Sequence, residues 1–104
     1  MKTKTFEQDL VSHLKDIDTA IDFLNSAIEE KDRDTFLLAL RYVAEAQGGI
    51  GKLAKVTKMN RVNLYRILAK KGNPELHTLD QILHGLGLRL AVVKSQLNNL
   101  KRAA

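Results

Sequence analysis

Apolar residues recur at three- and four-residue steps along almost the whole chain, the spacing that puts side chains on one face of an α-helix. Phe6, Leu10 and Leu14 predict a first helix over 6–14. Ile21, Leu24 and Ile28 predict a second from Asp18 to Lys31, with Asp18 as its N-cap. Leu10, Leu14, Ile17, Ile21, Leu24 and Ile28 also fit a heptad spacing, which would make one long coiled-coil helix. Only about two and a half heptads are present, so two short helices are the better reading. A third helix follows Asp32, carries Phe36, Leu37, Leu40, Val43 and Ala44, and stops at Gly48-Gly49.

Two short apolar-patterned segments come next, Lys52–Thr57 and Arg61–Lys70, separated by Lys58-Met59-Asn60. The Asn60 side chain can accept orphan amide hydrogens at the start of the second segment, and Gly72 suits the C′ position after its end. Leu64, Ile67 and Leu68 share one face of that helix, leaving Val62, Asn63, Arg66 and Lys70 on the other. Two short helices joined by a tight turn, the second with a polar and basic outer face, form a helix-turn-helix pattern. Asn73-Pro74 breaks the chain, and Thr78 to Gln81 reads as a capping box that opens a helix carrying Leu79, Ile82, Leu83 and Leu86, ended by Gly85 and Gly87. The weak alternation of Leu88–Val93 leaves a short C-terminal edge strand and a helix both open, and Ser95–Ala104 is a polar tail expected to fray. The expectation is an all-α, small helix-turn-helix DNA-binding domain with N-terminal helices.

With 104 residues, 44% of them hydrophobic and 28% charged, the chain has the size and composition of one globular domain. We divide it into an N-terminal helical segment, 1–31, packed on a helix-turn-helix domain, 32–93, and a tail, 94–104. The absence of Cys excludes disulfides, thiolate metal sites and a cysteine nucleophile. No apolar run could span a bilayer, and Met1 to Glu7 lacks the apolar core of a secretory leader, so the expected location is the cytoplasm, away from membranes.

The net charge of +5 hides an asymmetry. Residues 1–50 hold six basic and ten acidic side chains, whereas residues 51–104 hold eleven basic and two acidic ones. Between 51 and 71 stand Lys52, Lys55, Lys58, Arg61, Arg66, Lys70 and Lys71 with no acid among them, the charge pattern of a polyanion binder. A solvated helical face has the same composition, so charge alone does not decide.

Catalytic and metal chemistry find little support. Gly48-Gly49-Ile50-Gly51-Lys52 fails as a phosphate loop, because Ala46 stands where the first glycine belongs and Leu53 where Ser or Thr should follow the lysine. His13, His77 and His84 have no metal-ligand spacing, and the acids of the first half are accounted for by solvation and helix N-termini. No enzyme, cofactor or metal is expected.

Several motifs together carry a resemblance. Gly48-Gly49-Ile50 with Lys52-Leu53-Ala54, Asn60-Arg61 with Leu64-Tyr65-Arg66, Gly72-Asn73-Pro74, and Leu86-Gly87-Leu88-Arg89-Leu90 follow one another in order. Upstream stand Phe23-Leu24, Ala27-Ile28-Glu29-Glu30 and Phe36-Leu37 with Ala39-Leu40-Arg41. Over 6–93 the chain resembles the addiction-module antidote family, small bacterial antitoxins with an Xre/Cro-like helix-turn-helix. Lys58 stands where that family's turn commonly has Gly, so it is expected to take φ > 0 at a cost of about 1 kcal/mol. Gly51 replaces the usual Ser or Thr cap of the first motif helix, a loss of roughly a few tenths of a kcal/mol.

The resemblance implies a protein that neutralises a cognate RelE-like or ParE-like toxin and represses its own operon. From the residues themselves, Arg61, Val62, Asn63 and Arg66 are the expected base readers in double-stranded DNA, with Lys52, Asn60, Lys70 and Lys71 on phosphates. A homodimer is expected, because one such module has a small footprint. Asp22, Glu29 and Glu30, with Asp16 and Asp18, would offer an acidic surface to a basic toxin. The rival readings are a helix-turn-helix regulator without a toxin partner and a helical adaptor whose basic face serves solubility alone.

Overall fold

In the computed structural model, which describes residues 5–69 and 72–95, four of the six described helices begin at a side chain that accepts from their first amides. Thr5 opens α1 (Phe6–His13) with a complete capping box: its Oγ1 accepts from the Gln8 amide, while Gln8 Oε1 accepts from the Thr5 amide. Asp16 opens α2 (Ile17–Glu29), accepting from both the amide and the hydroxyl of Thr19 at 3.1 and 2.7 Å. These bonds hold the Asp16 carboxyl below the usual carboxylate range. Asp32 does the same for α3 (Arg33–Ala46) through Thr35, with the same effect on its own carboxyl.

The cap of α2 is thus Asp16 and not Asp18, which lies inside the helix. Two short helices replace the continuous heptad, as expected, because capping is joined by a distant clamp. Gln47, at the end of α3, donates from Nε2 to the carbonyls of Leu14 and Lys15 at 2.8 and 3.1 Å, satisfying groups that a continuous helix would have used itself.

After α3 the chain turns through Gly48 and Gly49 at φ 121° and 91°, a path closed to most L side chains, and enters α4 (Gly49–Thr57). This start precedes the expected one, so Gly51 lies within α4 and is not its cap. A turn at Lys58–Asn60 leads into α5 (Arg61–Ile67), and α6 (Leu76–Gly85) completes the described helices.

Three further expectations are corrected. α5 ends at Ile67 and not at Lys70, and Gly72, whose amide bonds to the Ala69 carbonyl, does not take the left-handed C′ role. Thr78 lies inside α6, which starts at Leu76 after an extended Glu75, because the Gln81 side chain that would complete a box is bonded to Thr57 instead. Leu88–Ser95 forms neither strand nor helix, since no second strand is at hand among the described residues to pair with it. Gly87 ends α6 as its C′ residue: its amide donates to the His84 carbonyl and that of Leu88 to Leu83. The Leu90 amide then donates to Asp80 Oδ1 at 3.3 Å, tying the departing chain to α6.

The core runs through the molecule in one piece, from Leu14, Leu24, Leu37 and Leu40 to Val43, Leu53, Leu64, Leu68 and Ile82. α3 packs against α1, α2 and α4, and α4 against α3, α5 and α6. The fold is all-α, and α3 and α4 are the struts on which α5 is mounted.

Candidate nucleic-acid interface

The turn between α4 and α5 is fixed by side chains as well as by backbone. Lys58 takes the left-handed conformation, φ 61° and ψ 27°, as the family resemblance implies. The Met59 amide donates to the Ala54 carbonyl at 3.1 Å and lies 3.3 Å from Thr57 Oγ1, whose own hydrogen goes to the Leu53 carbonyl at 2.7 Å. From α6, Gln81 Nε2 donates to the Thr57 carbonyl at 3.3 Å. Asn60 then caps α5, its Oδ1 accepting from the Asn63 amide at 3.0 Å. The Asn60 side-chain NH2 remains a donor at the surface.

Leu64 and Leu68 are fully buried and set the rotation of α5. At 100° per residue, Val62 and Arg66 lie opposite Leu64, with Asn63 and Tyr65 on the two flanks. Val62 is accordingly 66% exposed and Tyr65 52%, Arg61 and Arg66 are exposed, and Asn63 is half-buried. Arg61 lies over the start of α4, its Cζ 3.8 Å from where a Cβ on Gly51 would stand. A Cβ at 51 would meet that guanidinium at ordinary contact distance.

Lys52, Lys55 and Lys58 are exposed on α4 and its turn, and residues 49–69 contain no acid. Lys70 and Lys71 lie outside the described residues. Asp22, Glu29 and Glu30 are exposed on α2, apart from this basic unit. His13, His77 and His84 stand separately, each beside one carboxylate: Asp9, Glu75 and Asp80. Among the described residues no three metal-binding side chains come together, and no helix is long and apolar enough to cross a membrane.

Sequence reasoning missed two residues that bear on α5. Tyr65 belongs to the outer surface through its i+3 and i+4 relation to Val62 and Arg61, a spacing that could have found it. Arg41 donates from Nη1 to the Leu68 carbonyl at 2.6 Å, placing a cation at the C-terminal end of α5, where the helix dipole favours it. Its signal was a lone arginine beside the apolar stripe of Leu37, Leu40 and Ala44.

A small all-helical domain of helix-turn-helix type is what this arrangement defines. Over residues 3–94 the chain matches the family model described as "probable addiction module antidote protein", and it belongs to that family. An uncharacterised protein of Haemophilus influenzae is 27% identical over 88 residues, covering 85% of this chain and 90% of that protein. No solved structure matches the chain.

Proposed function

We propose that the chain is the antitoxin of a toxin–antitoxin pair, and that it also represses its own operon as an Xre/Cro-like helix-turn-helix protein. The observation that carries the DNA half of this reading is the rotation of α5: Leu64 is buried, Val62 and Arg66 are turned outward, and the acid-free surface of α4 lies beside them. Arg61, Asn63 and Arg66 supply hydrogen-bond donors for base edges, and Val62 an apolar contact for a thymine methyl. Lys52, the Asn60 amide group, Lys70 and Lys71 supply sequence-independent phosphate contacts. A homodimer would bring two such modules to a symmetric operator in the cytoplasm.

Membership of an antidote family supports a toxin partner, and a RelE-like or ParE-like toxin is the proposed one. In the proposed division of labour, residues 1–31 present Asp22, Glu29 and Glu30 to that basic toxin. Within 32–93, α4 and α5 read DNA, and of the expected tail 94–104 the residues 96–104 lie outside the described residues. No catalytic role is proposed.

The test is operator binding by fluorescence anisotropy. Arg66→Ala should cost about 1–3 kcal/mol of discrimination between operator and altered sites. Lys52→Ala should weaken binding to all duplexes and lower the salt slope by about one unit. The Arg66→Ala, Asn63→Ala double variant should still co-purify with the product of the adjacent reading frame. Unchanged preference with Arg66→Ala would refute the assignment of the reading face. Absence of a complex with the neighbour would favour a regulator without a toxin.

A further inference from the structure

α2 and α3 leave a trough between them that no side chain of the described residues fills. Phe23, Ser26 and Ala27 from α2 and Leu38, Ala39 and Tyr42 from α3 line a groove of about 280 Å³. The two alanines, both buried, make its floor, while Leu38 on the wall keeps 38% of its surface exposed beside residues that belong to the core. A dry cavity of about 150 Å³ accommodates a benzene ring, so this groove has room for one large or two small apolar side chains.

Its surroundings carry negative charge. Glu30 lines the groove itself. Near Tyr42, whose hydroxyl donates to Glu7 Oε2 at 3.2 Å, that carboxylate marks another part of the rim. Asp22 and Glu29 lie one helical turn to either side of Ser26 and are exposed. Residues 5–46 hold ten acidic and four basic side chains. Of those four, Arg41 is bonded to the Leu68 carbonyl, and Lys31 and Arg33 sit in the α2–α3 turn with Asp32 and Asp34.

We infer that this groove seats a basic, apolar-anchored segment of the cognate toxin. One or two aliphatic or aromatic side chains enter the trough, and flanking lysines or arginines meet Glu7, Asp22, Glu29 and Glu30. The assignment rests on the antitoxin reading above and gives it a docking surface. Charge selects the occupant: nucleic acid is repelled here, and the same groove of a second copy would bring like charges together. An amphipathic helix or strand of a basic protein satisfies both the apolar trough and its acidic rim.

The groove is built from α2 and α3, whereas Arg66 and Val62 stand on α5, which packs on α4.

The test uses the full chain and the purified product of the adjacent reading frame, titrated at low and high salt. Ser26→Arg places a long cationic side chain over the trough from an exposed position, and Leu38→Asp puts a charge on its apolar wall. Each should weaken the complex at least about tenfold at both salt concentrations, as loss of an anchoring contact does. Glu30→Gln should weaken it at low salt only. Circular dichroism confirms folding, and Ser26→Arg, on an exposed helical position, keeps the test available if Leu38→Asp does not fold. Unchanged affinity of a folded Ser26→Arg overturns the groove assignment while leaving the wild-type complex, and the antitoxin reading, intact. The assignment is equally overturned if the variants alter only self-association of the chain. Absence of a wild-type complex overturns both readings.

Discussion

Adding one methyl group at Gly85 tests whether the α4–α6 contact is as close as it looks. A Cβ there would stand 2.5 Å from Thr57 Cγ2 and 2.8 Å from Leu53 Cδ1, against the roughly 3.5–4.0 Å of ordinary carbon contacts. Neither neighbour yields easily. Leu53 is in the core, and Thr57 is held by its hydroxyl bond to the Leu53 carbonyl. α6 would therefore have to move outward by about 1 Å, at the usual overpacking cost of about 1–3 kcal/mol.

Alanine gains up to about 1 kcal/mol over glycine inside a helix, and less at a last helical residue such as 85. The net expectation for Gly85→Ala is a loss of about 1–2 kcal/mol, or a fall in Tm of about 5–15 °C for a domain of this size. Thr57→Ser removes the closer methyl while keeping the hydroxyl, so the double variant should recover part of the loss, with a coupling of about 0.5–1.5 kcal/mol. Thermal and urea denaturation of the wild type, both single variants and the double variant measure this cycle. A Tm for Gly85→Ala at or above that of the wild type, or a coupling of zero, would refute the reasoning.

Other expectations follow from single positions. Lys58→Gly should raise stability by about 1 kcal/mol in urea denaturation, because it removes the strain of a side chain in the left-handed region. Arg41→Met should lose about 1.5–3 kcal/mol, the value of a hydrogen bond to a charged donor, and should speed amide exchange in α5; unchanged exchange there would show that the guanidinium does not hold the helix. Asp32 has a carboxyl pKa lowered by its bonds from Thr35, so its stabilisation is present above the ordinary aspartate value and is lost as pH falls through the lowered one. Asp32→Ala should therefore lower Tm at neutral pH, with a difference from wild type that shrinks below about pH 4; a difference independent of pH would rule out the charged cap.

Local signals were enough to read much of this protein from its sequence. The three- and four-residue apolar spacing specified an all-helical chain, and Asn60 marked the start of α5 because a short side chain reaches its own N3 amide without tertiary help. Leu64 fixed the inward face of that helix, and with it the outward positions of Val62 and Arg66. The left-handed turn at Lys58 was implied by the family resemblance, not by any local signal of the residue itself.

Where two local solutions were nearly equal, long-range contacts chose between them. The sequence predicts Asp18 as the cap of α2, and Gln47 reaching the carbonyls of Leu14 and Lys15 from 33 and 32 residues away favours the break that makes Asp16 the cap instead. Gln81 could have closed a box with Thr78 but bonds to the Thr57 carbonyl, and α6 begins after Pro74 and Glu75. Tertiary structure alone placed the Arg41 guanidinium at the end of α5 and opened the α2–α3 groove. Both depend on how far apart two helices lie and how each is rotated, which the packing of Ala27, Ala39, Leu37 and Leu40 decides and a one-dimensional spacing does not contain.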